Sequence, residues 1–119
     1  MKALIGKGES LSKIKRPTDA IACFNAALDI QPQGLEAWFH KGFNFMLLKQ
    51  YPKAIGCFDK VLALKPDHAW SWYNKGVSSD KLKYPREAVT CFMKFLEVAG
   101  PEHQHRVPTA RARVRRARR

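Results

Sequence analysis

The three cysteines of this chain, Cys23, Cys57 and Cys91, stand 34 residues apart and then 34 again. A fixed interval of that size constrains the fold more than any local motif, because like units must fold alike and stack. Shifting the chain by the same 34 residues aligns Gly8, Gly42 and Gly76, and also Ala20, Ala54 and Ala88. Phe24, Phe58 and Phe92 fall in register, as do Leu28, Leu62 and Leu96, and Lys7, Lys41 and Lys75. Leu4, Trp38 and Trp72 share one more column, and Pro32 matches Pro66, with Gly100-Pro101 in the third copy. The chain therefore divides into units 1–34, 35–68 and 69–102, followed by a tail, 103–119.

Each unit carries two helical patterns. In the second, Leu35, Trp38, Phe39, Phe43, Phe45, Met46 and Leu47 recur close to helical spacing. A Gln50-Tyr51-Pro52 break follows, then Ile55, Phe58, Val61, Leu62 and Leu64 share one face until Pro66 stops the helix. Thr18 or Asp19 is suited to cap the second helix of the first unit. No segment alternates with period two, so no strand is expected, and six helices of about 12–15 residues are predicted from these patterns. Glycine costs a helix about 1 kcal/mol against alanine. Its recurrence in one column implies a steric need, met if the Gly column faces the Ala column where two helices cross.

These columns resemble the tetratricopeptide repeat family. Its unit has Trp or Leu, Gly four residues on, then Ala, Phe, Ala and Pro at fixed offsets. Here the second unit gives Trp38, Gly42, Phe45, Ala54, Phe58 and Pro66; the third gives Trp72, Gly76, Ala88 and Phe92; the first gives Leu4, Gly8, Leu11, Ala20, Phe24, Ala27 and Pro32. The resemblance implies an all-α, right-handed solenoid of helical hairpins, an α-α superhelix of about six helices plus a basic tail. The chain departs from the family at Lys15, Lys49 and Lys83, where a glycine is common near the hairpin turn, and at Ser79 and Phe95.

The resemblance also implies a use for the surfaces. In this family the first helix of each hairpin lines a concave face that holds an extended peptide or a partner helix. Phe39, His40, Phe43, Trp70, Tyr73, Asn74 and Val77 are the matching inward positions with binding character, joined by Ile5, Glu9, Met46, Lys13 and Lys81. Clustered aromatics there fit three readings: a peptide groove, self-association, or cover by terminal segments of the same chain. An amide such as Asn74 both donates and accepts, which suits contact with a peptide backbone. The clamp by which some members grip a heat-shock chaperone's C-terminal carboxylate would fall on Ile5, Glu9, His40, Trp70 and Asn74. Only Asn74 is of the right type and Glu9 would repel a carboxylate, so no such clamp is expected.

The formal net charge is +12, but all ten acids lie before residue 103 and seven arginines lie after it. Arg111, Arg113, Arg115, Arg116, Arg118 and Arg119 crowd the last nine residues; their mutual repulsion predicts a disordered tail able to touch nucleic acid or an anionic membrane surface. With almost no apolar stripe after Val98, the last hairpin's Phe95, Leu96 and Val98 are expected to stay bare, which favours a homodimer burying its ends. No apolar run approaches the length of a membrane span and the N-terminus lacks a signal-peptide pattern, pointing to a soluble, cytoplasmic chain.

Chemistry finds no foothold. His40, His68, His103 and His105 form no HExxH pattern, and neither a phosphate-binding GxxxxGK loop nor a GxSxG elbow is present. The cysteine spacing suits neither zinc nor a disulfide framework, so free thiols are expected. The expected function is a non-enzymatic protein-interaction scaffold without cofactor or metal; the alternative is a self-associating or adaptor module acting through its arginine tail.

Overall fold

The computed structural model describes residues 2–117. Among the described residues seven α-helices follow one another: α1 Lys2–Lys13, α2 Pro17–Ile30, α3 Leu35–Leu47, α4 Tyr51–Leu64, α5 Ala69–Lys81, α6 Pro85–Val98 and α7 Val107–Ala117. A short 3-10 helix, Pro101–Arg106, leads into α7. No strand occurs among the described residues. Helices pair as α1 with α2, α3 with α4 and α5 with α6, and each pair packs on the next through α2–α3 and α4–α5. The result is a stack 46 × 25 × 23 Å in extent.

Local chemistry repeats with the period. A proline opens each second helix, at Pro17, Pro52 and Pro85, where the missing N–H would have had no partner. No side-chain cap forms at α2: the cap position is Arg16, whose guanidinium instead pairs with Asp19 at 2.7 Å. Each hairpin turn is closed by a lysine in the left-handed region, Lys15, Lys49 and Lys83, with φ of 61°, 58° and 61°. At the middle turn the N–H of Lys49 donates to Met46 O and that of Gln50 to Phe45 O, the Schellman pattern that satisfies a helix end. The other two turns copy it at Lys15-Arg16 and Lys83-Tyr84.

The small-residue columns meet somewhat differently from expectation. Ala20, Ala54 and Ala88 are fully buried. The nearest neighbour of each helix-crossing glycine, however, is the phenyl ring one turn beyond that alanine. A Cβ on Gly42 would stand 2.9 Å from Phe58 Cε1 and 3.0 Å from Cys57 Cβ. On Gly8 it would come within 2.6 Å of Phe24, and on Gly76 within 3.0 Å of Phe92. The glycines thus make room for a flat ring, and burying each such ring contributes roughly 1.5–3 kcal/mol. Trp38 and Trp72 tie successive hairpins together: their indole N–H groups donate to the carbonyls of Pro32 and Pro66 at 2.9 and 2.8 Å. Trp72 also packs against the core of the third hairpin.

The tail overturns the expectation of disorder. Residues 107–117 form α7, which lies on α6. Val107, Ala110 and Val114, spaced three and four apart, are buried against Phe92 and Phe95. The apolar stripe is short but sufficient, and the arginines mostly point elsewhere, so their repulsion is relieved by solvent. Phe95, expected to be bare, is fully buried, while Leu96 and Val98 are half-buried against the same cluster.

Candidate functional site

The helices α1, α3 and α5 adjoin one another and build one surface. In its middle, on α3, Phe43 is 40% exposed and Leu47, one turn on, is 48% exposed. Residues four apart on a helix share a face, so the two form an open apolar step. Phe39 is half-buried, its ring 5.9 Å from Phe58 and 5.1 Å from the His68 imidazole. His40 Nε2 lies 2.9 Å from Glu9 Oε1 on α1, and its ring stacks on Phe24 at 5.6 Å. Beneath, buried Asn44 donates through Nδ2 to His40 O at 2.7 Å.

On α5 the expected residues divide. Asn74 and Val77 remain part-exposed. Trp70 and Tyr73 do not lie open: the third of the readings left by the sequence, cover by a terminal segment, applies to them. His103 and His105 of the 3-10 helix sit 4.8 and 5.4 Å from the Trp70 ring. Tyr73 is 9% exposed, wedged between Phe92 and Phe95, with the Arg106 guanidinium 5.9 Å above its ring. His68 caps α5, its Nδ1 accepting from Ser71 N at 3.2 Å and lying 2.8 Å from Ser71 Oγ. Burial, together with the nearby Lys65 and His103, lowers the His68 pKa below the ordinary imidazole value.

The two regions that the sequence presented as separate sites come together. A groove of about 890 Å³ runs between α5 and α7. Tyr73, Val77 and Phe92 line it from one side; Thr109, Ala112 and Arg113 from the other; Lys81, Arg115 and Arg116 also border it. Arg113 is not available to a partner. It is 14% exposed and holds Asp80 with both Nε and Nη2, and this bonding raises its pKa further. Arg111, Arg115 and Arg116 are exposed on α7, and Arg118 and Arg119 lie outside the described residues. Sequence reasoning passed over Leu47, Asp80 and the seating of Trp70 under His103 and His105. The spacing of Val107, Ala110 and Val114 was the available signal for the last of these, and nothing local marked Asp80.

Among the described residues no three His, Cys, Asp or Glu side chains gather as a metal site would require. No described helix is long and apolar enough to cross a membrane. Cys23, Cys57 and Cys91 are free thiols.

Family profiles described as tetratricopeptide repeat match residues 35–68 in one form, and 2–33 and 71–100 in another. No curated protein sequence matches the chain. Among solved structures, the type III secretion chaperone SycD of Yersinia enterocolitica, in complex with a peptide of the translocator YopD, superposes with a TM-score of 0.94. It shares 13% identity, over 98% of this chain and 91% of that one. The first such repeat domain of Spaghetti (RPAP3), bound to the HSP90 peptide SRMEEVD, gives 0.81 at 19% identity, over 92% and 89%. The repeat domain of Arabidopsis OM64 gives 0.85 at 17% identity, over 98% and 93%.

Proposed function

Because the chain belongs to the tetratricopeptide repeat family, we propose that it is a non-enzymatic scaffold that binds a peptide or partner helix on the surface built by α1, α3 and α5. The observation that carries this reading is the exposed step of Phe43 and Leu47 on α3. Large apolar side chains held open at the centre of a surface are what a partner's anchor residues seek. Phe39 and His40 extend the step toward α1, and Asn74 and Val77 carry it to α5, where Trp70 and Tyr73 support it from below. Peptides held by SycD and by the Spaghetti domain lend weight to the same class of ligand.

The carboxylate clamp does not belong to this proposal. Glu9 and His40, which stand at two of its positions, occupy each other at 2.9 Å. Trp70, at a third, is packed under His103. The same proposal places the chain in a reducing, cytoplasmic setting, in keeping with three free thiols.

Phe43→Glu tests the proposal. Partners captured by the wild-type chain should be lost, with the thermal melt unchanged because Phe43 is exposed; undiminished capture would end it. Sedimentation at several concentrations tests self-association through the same step, since a homodimer would be dissolved by the same substitution. A polyanion contact by exposed Arg111, Arg115 and Arg116 is the second reading, and it predicts heparin retention that vanishes on removing residues 106–119.

A further inference from the structure

We propose that the groove between α5 and α7 is a docking site for an acidic peptide segment of a protein partner, one apolar side chain seated beside Val77 with carboxylates reaching Lys81 and Arg116. The proposal rests on the scaffold reading above and extends the binding surface from α5 to α7, with one ligand chemistry there. Val77 is the part-exposed apolar side chain of the groove, with Tyr73 and Phe92 packed behind it, and the volume of about 890 Å³ is ample for several side chains. Its charge is one-sided. Asp80 is the one carboxylate among its described lining residues, and Arg113 already neutralises it with a two-pronged contact. Lys81, Arg115 and Arg116 remain, and among the described residues no carboxylate pairs with them. Three cations beside a low-dielectric wall focus a positive field into the groove, and a carboxylate entering it meets attraction with no internal competitor.

A nucleic acid fits the same charge but not the same wall. Tyr73 is 9% exposed and Phe92 2%, so neither ring offers a face on which a base can stack. Val77 gives a phosphate nothing. An acidic segment with an apolar anchor uses both halves of the groove.

The test begins with selection of short random peptides displayed on phage against the full chain, followed by fluorescence polarisation of the most enriched peptide. The proposal expects apolar residues flanked by Asp or Glu. It expects at least a ~10-fold loss of affinity with Lys81→Glu/Arg116→Glu, a similar loss when the peptide's acids are changed to amides, and weakening with added salt. Lys81 and Arg116 are exposed, so the variant should keep the wild-type melt, which is checked first. No enrichment, a basic or neutral consensus, or equal binding by the charge-reversed chain overturns the proposal, as does displacement of the peptide by an equimolar single-stranded oligonucleotide. Peptides that lose binding with Phe43→Glu but not with Lys81→Glu/Arg116→Glu would leave the scaffold reading standing and remove only this one.

Discussion

Arg113 on α7 grips Asp80 on α5 through two nitrogens, Nε at 2.9 Å from both carboxylate oxygens and Nη2 at 2.7 Å from one. The two residues are 33 positions apart, and both are largely shielded, at 14% and 30% exposed. The pair bridges over the groove to a helix that otherwise rests on α6 through Val107, Ala110 and Val114. It orients the tail and at the same time neutralises Asp80, the one carboxylate among the groove's described lining residues.

Cutting this bridge should loosen the tail without melting the stack. Charge-assisted hydrogen bonds contribute about 1.5–3 kcal/mol each side of such a contact, and the neighbouring hairpins do not depend on them. With Arg113→Ala, amide exchange should accelerate in 107–117 while residues 35–64 keep their protection. A double-mutant cycle with Asp80→Asn should give coupling, not additivity. Equal exchange rates in the two proteins would show that the bridge does not hold α7.

Two glycines in neighbouring helices should respond oppositely to the same change. A Cβ on Gly42 would meet Phe58 at 2.9 Å and Cys57 at 3.0 Å, whereas one on Gly56 meets nothing within 4 Å. Gly56→Ala should raise stability by up to about 1 kcal/mol, the helix-propensity difference. Gly42→Ala should lower it by about 1–3 kcal/mol, since overpacking outweighs that gain. Chemical denaturation of both variants reads the sign directly, and a stabilising Gly42→Ala would refute the ring-on-glycine account of the hairpin crossing.

The fold was open to reading because its information is periodic: Gly42, Ala54 and Phe58 each recur at the same interval, and repetition turns a weak local signal into a strong one. The tail has one copy of its pattern. Val107, Ala110 and Val114 carry only three small apolar contacts, and six nearby arginines mask them in any compositional view. Beyond that short stripe, a long-range pair, Arg113 with Asp80, ties the helix to α5, and no local spacing announces a partner 33 residues away. The same is true of the site. The place of Phe43 on the first helix of its hairpin was legible from the repeat; that Trp70 lies against His103 and His105, and Tyr73 under Arg106, depended on where the tail goes.

Acid should weaken the third hairpin through His68. Its imidazole accepts from the Ser71 N–H at the start of α5, a role open only to the neutral ring. Burial, Lys65 and His103 lower its folded-state pKa below the ordinary value. A lowered histidine pKa means the unfolded chain binds more protons in the window between the two values. The cap's contribution is therefore present in full above about pH 6.5 and is lost as the pH falls through the folded value. His68→Asn keeps a capping side chain and removes the titration. Its melting temperature should fall less than the wild type's between about pH 7 and 5; parallel curves would exclude the cap as the acid-sensitive element.

Thiol chemistry should distinguish the three members of the cysteine column. Burial pushes the Cys57 and Cys91 thiols up to about 11, against the opposing pull of Lys41 and Lys75 respectively. Cys23, in the first hairpin, is only half-buried. The thiolate is the reactive form, so near neutral pH the two inner residues are both shielded and protonated. A disulfide-exchange reagent should label Cys23 promptly in the native chain and leave Cys57 and Cys91 until their hairpins open. Since Cys57 Cβ stands 3.0 Å from where a Gly42 side chain would begin, Gly42→Ala should speed labelling of Cys57 far more than of Cys91. Mass spectrometry of timed, quenched samples measures all three rates at once. Labelling of Cys57 at the Cys23 rate would mean that the central hairpin is not closed as described.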